Sequence, residues 1–269
     1  MQQGKVMIVT GASSGFGELT ALTAAREGYR VVVTARRAER LEQLVQRIEA
    51  AGGTALAVAA DVTNGDDQHR VIETTLKHFG RIDVLVNNAG VPLRETFVDS
   101  SLTDLRRQWD TNVLAIVELT KHALPALIDA HGVVINIGSI AGHFSLPGWG
   151  MYYPTKVAVA SISESLRREL SSHDVQVCLV EPGPYATEFG QRAGFDSDTT
   201  FGFDPQQIAD VILRLCKRPK RRVIVPWWTT PFVVLAAGGV RLLPGLVDLL
   251  FRVMGNRQQR RVKQPKQAT

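Results

Sequence analysis

The sequence predicts an α/β fold built on a doubly wound parallel sheet, and three observations carry that reading. Short apolar runs recur that are hydrophobic throughout rather than at alternate positions, the pattern of strands covered on both faces. Helical patterns rich in Leu, Ala, Glu and Arg stand between them, and such strand–helix repetition implies right-handed crossovers. A Gly-rich turn joins the first strand to the first helix. With 269 residues, 45% of them hydrophobic, the chain is long enough for one well-filled core.

The elements follow in order. Lys5–Thr10 reads as a strand, Phe16–Glu27 as a helix ending near Gly28, and Arg30–Thr34 as a second strand. Ala38–Ala50 is a helix with a charged face, closed by Gly52 and Gly53. Ala55–Ala59, Val84–Asn87, Val133–Ile137 and Val175–Val180 supply further strands. Phe189–Asp204 is rich in Gly, Asp and Thr and reads as a mobile loop. Residues 1–222 are read as the dinucleotide-binding catalytic part of a single domain, and 223–269 as an apolar, basic-flanked extension.

Chemistry enters at the first turn. In Thr10-Gly11-Ala12-Ser13-Ser14-Gly15-Phe16-Gly17 the glycines let backbone approach a pyrophosphate, and the following helix start offers free N–H donors and a positive dipole end. At the end of the second strand a carboxylate would bond both ribose hydroxyls and favour NAD. The sequence there is Thr34-Ala35-Arg36-Arg37. Two guanidiniums without an acid suit a 2′-phosphate, so the expected cofactor is NADP(H) rather than NAD(H).

The second constellation is Tyr152-Tyr153-Pro154-Thr155-Lys156. Tyr and Lys at i, i+4 share a helix face, at about 6 Å between Cβ atoms. A nearby ammonium favours phenolate, which would bring a phenol of ordinary pKa near ~10 within reach of neutral-pH proton exchange. Tyr153 is the rival, at i, i+3. Pro154 is tolerable in a first helical turn.

The Thr-Gly-x-x-x-Gly-x-Gly turn with Asn112, Ser139, Tyr152 and Lys156 in this order resembles the short-chain dehydrogenase/reductase family over residues 5–190. The resemblance implies a Rossmann-type fold and the interconversion of a carbonyl and an alcohol by hydride transfer. It implies that Ser139, thirteen residues before Tyr152, holds the carbonyl oxygen. It implies that Asn112, in Trp109-Asp110-Thr111-Asn112-Val113, anchors a water leading from Lys156 to solvent. Tyr152 and Lys156 would border the cofactor as well, Lys156 at the nicotinamide ribose. Asp61-Val62 resembles the adenine-contacting pair and Asn87-Asn88-Ala89-Gly90 the cofactor-side turn. Pro182-Gly183-Pro184-Tyr185-Ala186-Thr187 resembles the nicotinamide-side turn, with Thr187 on the carboxamide. His143, Phe144, Leu146, Trp149 and the loop Phe189–Phe203 would form an apolar substrate wall, suited to a lipophilic ketone or aldehyde. A homodimer or homotetramer is expected from the family. The alternative from another class is a non-catalytic dinucleotide-binding regulator or membrane-associated scaffold, and a complete Asn-Ser-Tyr-Lys set argues against it.

Composition narrows the partners. Cys178 and Cys216 read as buried thiols in a reducing compartment, and no Cys/His spacing suits a metal. No apolar run of leader length opens the chain, so a cytoplasmic location is expected. Lys217–Thr269 holds twelve Lys/Arg against one acid, Asp248, or +11, which leaves −6 of the net +5 on residues 1–216. These cations flank an apolar stretch rather than forming a recognition element, so no nucleic acid is expected. Val223–Val240 is eighteen residues without a formal charge, and Pro244–Met254 reads as a second apolar helix. Pro226, Pro231 and Gly238-Gly239 make one unbroken span doubtful. Three placements stay open for 217–266: cover for the pocket or a subunit contact, a helix lying peripherally on an anionic membrane, or a true span.

Overall fold

The computed structural model describes residues 4–193, 203–245 and 248–249. Its elements are β1 Val6–Thr10, α1 Gly15–Arg26, β2 Arg30–Ala35, α2 Ala38–Ala50, β3 Thr54–Ala59, α3 Gly65–Phe79, β4 Val84–Asn87, α4 Leu102–Trp109, α5 Ala115–Asp129, β5 Val133–Ile137, α6 Tyr152–Glu169, β6 Gln176–Pro182, α7 Glu188–Arg192, α8 Gln206–Lys217, β7 Arg222–Val225 and α9 Thr230–Leu242. The strands form one parallel sheet in the order β3-β2-β1-β4-β5-β6-β7. This is the doubly wound Rossmann-type fold that the sequence predicts.

Successive residues of a strand point to opposite faces, so the same strand serves two cores. Met7 and Val9 pack with Ala21, Ala24, Leu41, Ile48, Ile208 and Ile212, under α1, α2 and α8. Val6 and Ile8 pack with Val71, Ile72, Leu119, Ala123 and Leu127, under α3 and α5. Both sets are buried. This is why the strands read as continuous apolar runs.

The middle of the sheet is not wholly apolar. The buried Asn87 donates from Nδ2 to Asn136 Oδ1 at 2.9 Å and to Thr120 Oγ1 at 3.2 Å. Asn136 Nδ2 donates to Ser163 Oγ at 2.9 Å, and the Ser163 hydroxyl donates to the Val159 carbonyl at 2.7 Å. A fully bonded polar thread thus runs from α5 through β4 and β5 to α6, with every buried group partnered.

The C-terminal boundary is corrected. Val223 was expected to open the extension, but Arg222–Val225 is the last strand of the sheet, in register with Leu179–Pro182 of β6. The exposed donors and acceptors along β6 need a partner, and this short segment supplies it. The extension therefore begins after Val225, with α9. The loop expected at Phe189–Asp204 opens instead within α7, which reaches Arg192. Its remainder at 194–202, and most of the helix expected over Pro244–Met254, lie outside the described residues.

Candidate active site

The C-terminal ends of the strands open onto one cleft of about 1310 Å³. Gly11, Ser13, Ser14, Gly15 and Phe16 line it beyond β1, and Arg36 and Arg37 beyond β2. Asp61 and Val62 follow from β3, and Asn88, Ala89 and Gly90 from β4. Ser139 comes from the end of β5, and Pro182, Gly183, Tyr185 and Thr187 from the end of β6. Strand order reverses between β1 and β4, where an open α/β sheet leaves its ligand crevice.

The Gly-rich turn is shaped by its neighbours. Gly11 and Gly15 have φ of +64° and +59°, a region that disfavours any Cβ. A Cβ on Gly17 would stand 2.6 Å from the Gly11 carbonyl oxygen and from Asn88 Nδ2, so Gly17 closes the turn from behind without lining the cleft. Thr10 Oγ1 accepts from the Asn88 and Ala89 amides at 2.9 and 3.0 Å, and Asn88 Nδ2 donates to the Thr10 carbonyl at 2.8 Å. The turns after β1 and β4 are thereby locked together. A cradle that tolerates no side chain, set at a helix start, fits the pyrophosphate of a dinucleotide. Asn87 is the exception in its run: its side chain points into the polar thread of the sheet and not into the cleft.

At the end of the cleft beyond β2, Arg37 Nη2 donates to Ser13 Oγ at 2.8 Å and Ser14 Oγ at 2.9 Å, and Arg37 Nη1 lies 3.0 Å from Glu188 Oε2. Arg36 stands 3.9 Å from Asp61, both exposed.

At the other end α6 begins at Tyr152, which puts Pro154 in its first turn, where no amide donor is needed. Tyr152 and Lys156 face the cleft from successive turns, with Ser139 lining it beside them, its hydroxyl donating to the Pro182 carbonyl at 3.4 Å and accepting from the Ala141 amide at 3.1 Å. Lys156 is buried, and Nζ donates to the Ile137 carbonyl at 3.0 Å, 5.8 Å from the centre of the Tyr152 ring. Here the expectation from sequence is corrected. Burial pushes the Tyr152 phenol up to about 12, the Ser139 hydroxyl pulling the other way, and pushes Lys156 down to about 8. Desolvation is the largest cause in both groups, and the ammonium is tethered to the strand rather than to the phenol.

Tyr153 also borders the cleft, but its ring is wedged between Trp149, Phe144 and Tyr152, with centroids 5.9 to 6.0 Å apart, and burial raises its pKa further. Asn112 sits in a π-helical turn, Asp110–Leu114, between α4 and α5. Its Oδ1 accepts from the Val91 amide at 2.8 Å, and its Nδ2 donates to the Val91 carbonyl at 3.0 Å and to Thr155 Oγ1 at 3.2 Å. The side chain staples the turn after β4 to the start of α6 and does not itself line the cleft.

Phe144, Leu146, Trp149 and Phe189 form an apolar wall, with the Trp149 and Phe189 rings 5.5 and 5.6 Å from Tyr152. His143 is corrected out of that wall. Its Nε2 lies 3.1 Å from Oε1 of the buried Glu181, and Arg222 Nε stands 3.4 Å from the other carboxylate oxygen. A carboxylate buried in the sheet needs such partners. Glu181 and Glu188 were not singled out from sequence, since the contacts that give them a role, His143 with Glu181 and Arg37 with Glu188, join residues 38 and 151 apart. Among the described residues no group of three or more His, Cys, Asp or Glu is placed to hold a metal.

Comparison with known proteins agrees with this geometry. The chain is 36% identical over 223 residues to a serine 3-dehydrogenase of Agrobacterium fabrum, covering 80% of this chain and 88% of that protein. It is 30% identical over 259 residues to a ketoacyl reductase of Nostoc, covering 94% and 90%. A metagenomic short-chain oxidoreductase crystallised with NADP superposes with a TM-score of 0.74 at 32% identity, covering 83% of this chain and 97% of that one. The short chain dehydrogenase profile matches residues 5–197. The protein therefore belongs to the short-chain dehydrogenase/reductase family of oxidoreductases.

Proposed function

We propose that this protein reduces a lipophilic ketone or aldehyde with NADPH, or oxidises the corresponding alcohol, with Tyr152 as the general acid or base. The observation that carries this is the meeting of Ser139, Tyr152 and Lys156 at one end of a cleft whose other end is the Gly-rich turn, where Gly11 and Gly17 leave no room for a Cβ. A bound nicotinamide dinucleotide supplies or takes up the hydride. Ser139 orients the carbonyl oxygen by its hydroxyl. The Tyr152 phenol hands a proton to that oxygen in reduction and receives it in oxidation. Lys156 would bond the nicotinamide ribose and, 5.8 Å from the Tyr152 ring, favour the phenolate against the desolvation that raises the phenol's pKa. Asp61 and Val62 border the adenine, Asn88–Gly90 the adjoining ribose and phosphates, and Thr187 the carboxamide. Asn112 keeps a proton path open behind Lys156 by fixing the turn after β4. The wall of Phe144, Leu146, Trp149 and Phe189 suits an apolar substrate.

Arg36 and Arg37, with Ala35 in place of an acid, underlie the preference for NADP(H). Titration with both reduced cofactors should give tighter NADPH binding, and Arg37→Ala should lose about tenfold in NADPH affinity with NADH little changed, the size of one charge-assisted pair. Equal wild-type affinities would refute the preference. NADPH consumption with ketones, fatty aldehydes and steroids tests the activity itself.

The extension is proposed to rest on an anionic membrane from the cytoplasmic side, with the catalytic domain in a homodimer or homotetramer. Trp227, just before α9, and Phe232 and Leu235 within it are 79%, 66% and 75% exposed, and the basic run Lys217–Arg222 precedes them in sequence. No described helix is long and apolar enough to cross a membrane. Each cation near an anionic surface adds about 1 kcal/mol, weakening with salt. Vesicles containing anionic lipid should float the full chain and not a chain ended after Val225. A full chain that ignores them at low salt would make the extension a lid or a subunit contact.

A further inference from the structure

Glu188 opens α7 on the wall of the cleft that also carries Thr187, yet its carboxylate reaches the opposite wall. Oε2 is 3.0 Å from Arg37 Nη1 and 3.0 Å from Arg192 Nη2, and Oε1 pairs with Arg40 of α2. The other edge of the Arg37 guanidinium is held by the Ser13 and Ser14 hydroxyls of the phosphate cradle. Every edge of that cation is therefore engaged, and the Nη1 edge is engaged by an anion. These partners span 151 residues of chain and join the two walls of the dinucleotide cleft.

We propose that Glu188 is a determinant of cofactor choice: its carboxylate competes with the 2′-phosphate of NADP(H) for Arg37 and so limits the preference over NAD(H). The proposal rests on the reading that Arg37 receives that phosphate. A phosphate approaching the guanidinium must take the Nη1 edge or share the cation with a carboxylate a few ångströms away, and like charges so placed repel. NAD(H) carries a neutral hydroxyl there and meets neither cost. A displaced Glu188 retains Arg40 and Arg192, so the exchange does not strand it, and the competition is a balance rather than a block. Because these side chains are about a third exposed, the effect is that of a screened pair, modest and salt-sensitive.

The test is dissociation constants for NADPH and NADH at low salt in the full-length wild type, Glu188→Gln, Arg37→Ala and the double variant. Glu188→Gln should bind NADPH about fivefold tighter with NADH unchanged, a gain on the scale of one exposed charge pair, and the gain should vanish in the Arg37→Ala background and shrink at high salt. Weaker NADPH binding, no change, or a parallel change for both cofactors would overturn it, the last by showing that Glu188 only holds α7 in place. A wild type with no preference, in which Arg37→Ala leaves NADPH binding untouched, would instead defeat the reading of Arg37, and the competition with it.

Discussion

Tyr152→Phe is expected to lower kcat by about 100-fold or more, the usual contribution of a positioned proton donor, while leaving NADPH affinity nearly intact. In the proposed reaction the phenol would touch the reacting oxygen, whereas the cradle and the arginines would hold the phosphates some distance away. Phe preserves the ring that packs on Trp149 and Phe189, so the loss reports the hydroxyl rather than a collapsed wall. Tyr153→Phe should be mild, because that ring is wedged among Phe144, Trp149 and Tyr152 and serves as packing. Steady-state rates and cofactor titrations on both variants decide it, and a dead Tyr153→Phe beside an active Tyr152→Phe would reverse the assignment. Since burial holds the phenol at about 12, wild-type oxidation should climb well into the alkaline range, where the phenolate is more populated.

Lys156→Met is expected to lose both turnover and cofactor affinity, and its pH behaviour is distinctive. The folded pKa of about 8 lies below the ordinary 10.5, so keeping the ammonium charged in its buried seat costs stability. That cost is fully present below about 8, shrinks as pH rises between the two values, and is gone above 10.5, where both states are neutral. Its ceiling is on the order of 3 kcal/mol, and the Ile137 carbonyl left without its donor gives back about 1 kcal/mol of that in the variant. Urea unfolding should therefore find Lys156→Met at least as stable as the wild type near pH 7, with the gap closing towards pH 10. A wild type that is clearly the more stable at pH 7, or a gap that widens with pH, would show that the charge is not strained where it sits. Lys156→Arg, should any rate remain, should shift the catalytic profile to alkaline pH.

The sheet was legible because each strand is buried on both faces and leaves an unbroken apolar run. β7 was not, since four residues between a basic cluster and a proline carry no periodicity. The cleft was legible where chemistry depends on backbone: glycines and the i, i+4 pair of α6 announce themselves locally. Side-chain direction was the part that stayed hidden. Asn87 and Asn88 are neighbours of one type, but strand alternation sends the first into the sheet and the second to the turn. His143 looked like wall until a buried acid 38 residues away claimed its ring. The lowering of the phenol's pKa expected from the Tyr–Lys spacing presumed solvent-like surroundings, and the depth of the cleft reversed its sign. Glu188 gave no signal at all, because a cross-cleft contact exists only once the sheet has folded.

The polar thread through Asn87, Asn136 and Ser163 has a bearing on how this chain can vary. A strand interior ordinarily accepts exchange among Val, Ile and Leu with little penalty, and the flanking positions of β4 and β5 have that freedom. The thread does not, because an apolar replacement at Asn136 would fill the space yet leave the Asn87 amide with Thr120 alone and take away the donor that the Ser163 hydroxyl accepts from. The three positions can drift only in concert, and they lie between the helix that follows the Asn112 turn and the helix that carries Tyr152 and Lys156. Sequence change in the centre of the sheet is thus coupled to the spacing of the two helices between which the chemistry is set.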